Sequence, residues 1–183
     1  MNKPTKNFSI IFDLDDTVVS TKHRYRNKPC GNIDLDFWFA NSTPEMIALD
    51  TLLPLAAIWR RYFAEGYEVV VCTARDFSDN PKVPTKNIGK VYERFLADNG
   101  LQYHALLHRT MAGDDHLTLG DGDLKTRLLN DWAERTGKPH NWRERAVMFD
   151  DNRKVIEKML ADNLHCIDAV KQNAYLSTLG IAA

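Results

Sequence analysis

Cysteine is scarce in this chain, and the three that occur do not pair. Cys30, Cys72 and Cys166 are an odd set with no short repeated spacing, which argues against a disulfide framework and against a structural zinc site. A reducing cytoplasm is therefore the expected setting. The six histidines show no pairing that suggests a metal. Long apolar runs are missing too: none approaches the roughly 20 residues that cross a bilayer, and the opening MNKPTKNF has no apolar signal core. A soluble protein with no membrane partner is expected. Nor does one sign of charge prevail. Lys and Arg number 24 against 25 Asp and Glu, so no bulk positive field exists to coat duplex nucleic acid, and any such contact has to be local. Internal repeats, low-complexity tracts and a clear linker are absent as well. One domain over residues 1–183, with 44% apolar residues to build its core, is the expectation.

What is present is an alternation of short apolar strands and amphipathic helices. FSIIFDL (8–14) is too short for a buried helix and rich in Ile and Phe, which predicts a central strand. STPE (42–45) has the form of a capping box, and PLAAIWRRYFAEG predicts a helix closed by Gly66. Tyr67 to Cys72 is β-branched and apolar, a second strand. A helix over 84–100, a strand over 103–109, a helix over 122–137, a strand over 145–151, a helix over 152–163 and a strand over 164–169 complete the series. Parallel neighbours need a crossover, so the order implies an α/β fold, a three-layer α/β/α sandwich with a mostly parallel, doubly wound, Rossmann-like sheet. Segments 20–44, 76–84 and 108–121 read as irregular, the first two at the rim of the site. They are too short for a large cap domain.

In such open sheets ligands bind beyond the carboxyl ends of the strands. Three predicted strands end there in polar groups: DLDDT, CTAR and FDD. Several carboxylates at one low-dielectric edge repel each other unless a divalent cation neutralises them. Oxygen donors alone, without His or Cys at ligand spacing, favour a hard ion, and Mg²⁺ is the usual choice beside phosphate. The candidate ligands are Asp13, Asp15, Asp150 and Asp151.

DLDDT, CTAR, Lys125 near the start of a helix and FDD, in that order, resemble the four motifs of the haloacid dehalogenase (HAD) superfamily of phosphotransferases, over about residues 9–152. That superfamily often has Gly where this chain has Asp16. A closer resemblance is to the 3′-phosphatase domain of phage-type polynucleotide kinase-phosphatase. It rests on Arg24, eleven residues after the first Asp; the joint of Pro54, Gly66 and Tyr67; Arg75; PTK (84–86); and the Gly/Asp-rich approach to Lys125. No GxxxxGK[ST] loop is present, so the resemblance implies a phosphatase alone, with any kinase or ligase a separate partner.

The resemblance implies roles. Asp13 would be the nucleophile that forms an aspartyl-phosphate, and Asp15 the acid and base. Thr73 would hydrogen-bond a phosphoryl oxygen, and Lys125 would supply fixed positive charge. Arg24 and Arg75, placed at the rim, would grip the scissile phosphate. The implied substrate is a phosphorylated nucleic-acid end carrying a 3′-phosphate; the alternative is a nucleotide or another small phosphoester. A third reading, a receiver-like domain that only accepts phosphate on Asp, is disfavoured because the two key aspartates lie two apart on one strand. KHRYRNK (22–28) joins charge to a stacking surface suited to a nucleotide strand, although a solvated loop reads equally well. Phe37, Trp38 and Phe39 read as packing under the loop, LGDGD (119–123) as a turn and GDDH (113–116) as too unsupported to hold a metal.

Overall fold

The computed structural model describes residues 3–31, 33–79, 82–113 and 117–183. Asn32, Asn80 and Pro81, inside the segments 20–44 and 76–84, and residues 114–116 of GDDH lie outside the described residues.

Burial on both faces explains the central strand. β1 (Ser9–Phe12) has all four residues buried, and its side chains alternate between two cores: Ile11 faces one, Ile10 and Phe12 the other. β4 (Glu68–Thr73) repeats the division, with Val70 and Cys72 on one face and Val69 and Val71 on the other. β5 (Ala105–His108), β6 (Ala146–Asp150) and β7 (Cys166–Asp168) complete a sheet of order β5-β4-β1-β6-β7, all pairs parallel. The chain builds outward from β1 to one side and then crosses to the other, which opens a crevice at the carboxyl end of β1.

Helices cover both faces, as the alternation predicts. α5 (Asp121–Arg135) and α6 (Arg153–Ala161) bury Leu128, Trp132, Val155 and Met159 against one face. On the other, α3 (Leu55–Ala64), α4 (Ile88–Asp98) and α7 (Ala169–Thr178) contribute Trp59, Leu96 and Leu176. Phe12 stacks on Trp59 and on Phe149 at 5.1 Å each. Burial of aromatic side chains of this size contributes about 2–3 kcal/mol apiece, so this stack holds β1 between its neighbours. Trp59 Nε1 donates to the Gln102 carbonyl at 2.6 Å, which removes the cost of burying its polar atom.

The structure corrects several details. A small antiparallel ribbon, β2 (Val19–Ser20) with β3 (Thr51–Leu52), closes the base of the segment between β1 and α3. That segment is not wholly irregular: it contains a 3-10 turn at Lys22–Arg24 and the short helices α1 (Leu35–Ala40) and α2 (Pro44–Ile47). No cap domain is evident among the described residues. The capping box is displaced by one residue. Thr43, with Pro44 in the first turn, caps α2, while the Ser42 hydroxyl donates to the Trp38 carbonyl at 2.9 Å. α7 carries no predicted element, because its sequence has a weaker apolar stripe than the other helices. Cys72 and Cys166 are buried and Cys30 exposed, all three as thiols. No helix among the described residues is long and apolar enough to cross a membrane.

Candidate active site

Asp13 is the first residue past β1, and its backbone N–H still donates to the Phe149 carbonyl at 3.0 Å. The strand pairing thus fixes its Cα, and burial among strand ends leaves the residue 4% exposed. From the opposite side, the second turn of α5 delivers Lys125. Its ammonium donates at 2.7 Å to Asp13 and at 2.7 Å to Asp150, the last residue of β6, which is fully buried. Asp151 lies next along the chain, half-buried. Carboxylate oxygens of Asp13, Asp150 and Asp151 all fall within 4.8 Å of one another.

The electrostatics of this group are unbalanced. Three carboxylates face one ammonium, an excess of two negative charges. Burial first, then Asp150, Asp15 and Asp151, drive the Asp13 carboxyl well above its ordinary value although Lys125 opposes them. Asp151 is pushed up to about 7 by burial and by Asp150. Lys125 moves the other way from its burial: Asp13 and Asp150 hold it protonated well above the usual lysine range. A hard dication fits this donor set in kind and in charge. The cap of α6 is the Asn152 side chain, which accepts from the Lys154 N–H at 3.0 Å, while Asp150 Oδ1 accepts the Asn152 N–H at 3.0 Å.

Asp15 departs from the expected ligand set. Both its oxygens are held by Arg75, Oδ2 by Nε at 2.6 Å and Oδ1 by Nη2. The Asp15 side chain is therefore not part of the metal cluster. Burial alone would raise its pKa, yet the charge and hydrogen bonds of Arg75 take it below the ordinary carboxylate value. Arg75 lines the cavity as predicted. Thr73 does not line it: buried at the end of β4, its hydroxyl oxygen accepts the Arg75 N–H at 3.2 Å, which leaves the hydroxyl proton to give. Arg24 is not at the rim. It is fully buried and bonded to both oxygens of Asp50 at 2.8 Å, because a guanidinium taken from water has to find a planar anion.

Asp16 occupies a backbone conformation that few residue types enter freely. Its φ of +54° lies in the left-handed region, which a branched or bulky residue enters at a cost and Asp or Gly more readily. Its carboxylate fastens the loop, accepting from the Tyr25 hydroxyl at 2.7 Å and the Thr21 N–H at 3.2 Å. Asp16→Ala is expected to lose about 1–2 kcal/mol more stability than Asp16→Gly; urea melts giving equal stability for the two would contradict the strain.

Above the carboxylates opens a cavity of about 560 Å³. Asp13, Lys125, Asp151 and Arg75 line it together with an apolar and aromatic wall of Tyr25, Ile33, Leu35, Trp38, Phe39, Leu117 and Leu119. Trp38 and Phe39 thus face the cavity rather than only packing under the loop. Sequence reasoning also missed Arg109 and Asp121 on the wall. Arg109 follows β5 and bonds Asp121 at 2.6 Å and the Ala74 carbonyl at 2.9 Å. Its position as the last residue of the predicted strand 103–109 was the signal that could have found it.

A sequence-family profile described as bacteriophage T5 5′-deoxynucleotidase matches residues 1–182. The chain belongs to that family. No curated protein matches the deoxynucleotidase-family chain. Among solved structures, a haloacid dehalogenase-like family hydrolase from Streptococcus pneumoniae aligns with a TM-score of 0.56 at 10% identity, covering 91% of this chain and 90% of the other. A HAD-superfamily hydrolase of subfamily IA from Geobacter sulfurreducens aligns with a TM-score of 0.51 at 10% identity, covering 96% and 100%. At these identities the likeness is one of fold. This deoxynucleotidase-family chain therefore has the HAD-type α/β fold, with Asp13, Lys125, Asp150 and Asp151 gathered at its carboxyl edge.

Proposed function

We propose that the chain is a Mg²⁺-dependent phosphomonoesterase that hydrolyses deoxynucleoside 5′-monophosphates through an aspartyl-phosphate on Asp13. The observation that carries this reading is the junction of two unlike surfaces in one cavity: an acidic cluster with one lysine at its floor, and an aromatic and apolar wall above it. A volume of about 560 Å³ is in the range of small-ligand sites, and suits a phosphate at the floor with a nucleoside beside the wall. The family profile points to the same substrate class.

Asp13 attacks phosphorus; its Oδ–P bond forms as the ester P–O bond breaks, and the leaving alkoxide takes a proton from Asp15. Water then attacks the aspartyl-phosphate, giving a proton to Asp15, and inorganic phosphate leaves with Asp13 restored. In the free site Arg75 holds Asp15 ionised. An entering phosphate draws on the same guanidinium, and as its negative charge arrives Asp15 takes up a proton from solvent, which it then gives to the leaving alkoxide; the proton gained from the attacking water returns to solvent when phosphate leaves. Lys125 keeps the Asp13 carboxylate in place and balances charge on the phosphoryl oxygens. Magnesium bound by Asp13, Asp150 and Asp151 would supply the two positive charges that let a phosphate dianion approach a carboxylate.

The polynucleotide 3′-end reading leans on Arg24 as a phosphate grip, and a side chain spent on Asp50 cannot serve as one. A substrate panel tests the choice: deoxynucleoside 5′-monophosphates, their 3′-phosphate isomers, ribonucleoside 5′-monophosphates and a 3′-phosphorylated oligonucleotide, each with Mg²⁺ and with chelator. We expect the highest kcat/KM on the 5′-deoxynucleotides, and a fall on the order of 10²-fold or more with chelator. A preference for the oligonucleotide would reject the mononucleotide reading, and full activity in chelator would reject the metal.

A further inference from the structure

Beneath the cavity lies a second charged group that the proposed chemistry does not use. Arg24, in the 3-10 turn Lys22–Arg24, and Asp50, just after α2, are both buried: the Arg24 side chain and the Asp50 side chain are each 0% exposed. Arg24 gives Nε and Nη2 to the two oxygens of Asp50 and Nη1 to the Tyr92 hydroxyl at 3.2 Å. The Tyr92 ring, from α4, carries the Arg75 guanidinium 3.9 Å from its centroid. Arg75 Nη2 lies 4.0 Å from Asp50 and also bonds Asp15. Trp38 flanks both guanidiniums, 4.6 Å from Arg24 and 6.0 Å from Arg75. A contiguous path thus runs from Asp50 and Arg24 through Tyr92 to Arg75, and from there to Asp15.

Neither Arg24 nor Asp50 lines the cavity, so neither touches substrate. Stability is a poor reason for the pair as well, because desolvating two ions costs so much that apolar replacements of a buried pair are often neutral or stabilising. What a bidentate pair supplies that apolar side chains do not is a fixed orientation for its neighbours. We infer that Arg24, Asp50 and Tyr92 are positioning residues that hold the Arg75 guanidinium, and through it the Asp15 carboxylate, in register with the leaving oxygen. The inference rests on the acid role given to Asp15 above.

The readout is dependence on the leaving group. kcat/KM reports the steps through phosphoryl transfer to Asp13, and p-nitrophenolate departs without a proton whereas a nucleoside alkoxide needs one. In the double variant Arg24→Met with Asp50→Leu, and in Tyr92→Phe, kcat/KM is measured for a deoxynucleoside 5′-monophosphate and for p-nitrophenyl phosphate, beside thermal melts and Asp15→Asn. The double variant is expected to melt near the parent temperature and to lose about tenfold more activity on the nucleotide than on the aryl ester, with the nucleotide KM within about threefold of the parent. Tyr92→Phe is expected to show the same bias at about threefold. Equal losses on both substrates, or none, would overturn the inference. If the double variant fails to fold, Tyr92→Phe decides by the same criterion. Asp15→Asn separates the two levels of the argument. Absence of leaving-group bias there removes the acid assignment and this inference together, whereas bias there without bias in the pair variants removes this inference alone.

Discussion

Asp13→Asn is expected to abolish turnover while leaving the protein as stable as the parent or more so. The amide has the same shape but no nucleophilic oxygen anion, and loss of a nucleophile costs enzymes a factor on the order of 10⁴ to 10⁶ in kcat. The stability half of the expectation is the more diagnostic. In the free protein Asp13 is buried beside Asp150 and Asp151, and these together drive its carboxyl well above the ordinary value despite Lys125. Such a shift means that its charge opposes folding at neutral pH, so a neutral amide relieves repulsion. Phosphate release on a deoxynucleoside 5′-monophosphate and thermal melts in chelator check both halves. Activity above about one tenth of the parent would remove Asp13 as nucleophile, and a sharply lowered melting temperature would mean that its charge is stabilising instead.

Lys125→Met has the opposite signature. The Lys125 side chain is 3% exposed, and its ammonium is bonded at 2.7 Å to each of two buried carboxylates. Removing one partner of a buried ion group leaves an uncompensated charge, which costs about 3–5 kcal/mol. For a chain of this length that is a fall of roughly 6–20 °C in melting temperature. Catalysis is expected to fail as well, because the fixed charge beside the phosphoryl group is lost. The acidic cluster itself remains, so Mg²⁺ is expected to raise the melting temperature of Lys125→Met by more than it raises that of the parent. An unchanged melting temperature in chelator would show that the carboxylates are already protonated or hydrated in the free protein. A rise with Mg²⁺ no larger than the parent's would argue that the ion does not sit among Asp13, Asp150 and Asp151.

Both of these side chains are legible in the amino-acid sequence, and for the acidic ones the reason is local. A residue at the carboxyl end of a buried strand has its location set by the strand's own period, so FSIIFDL and RAVMFDD alone place Asp13, Asp150 and Asp151 on one edge. The five parallel strands and the helices between most of them follow from the same periodicities. The segment between β1 and α3 is less legible. Its helices are short and take their stability from packing against the rest of the domain, so α1 and α2 leave only capping residues as a trace, and the two-residue strands β2 and β3 leave nothing periodic.

Charge partners are the least legible part. Both arginines read as phosphate contacts in the sequence because a guanidinium near the motifs suggests an anion, but Arg24 is spent on Asp50, and Arg75, although it lines the cavity, holds Asp15 in the free site. Asp15 likewise groups with the metal ligands by its spacing from Asp13, whereas the structure turns its side chain to Arg75, sixty residues away along the chain. The sequence by itself determined the alternation of elements, the doubly wound sheet and the row of acidic residues at its carboxyl edge, since each depends on periods of two or 3.6 residues. Only the tertiary structure decided which carboxylates face one another and which face an arginine, because that depends on how distant strand ends cross in space, and electrostatic energy follows separation in space.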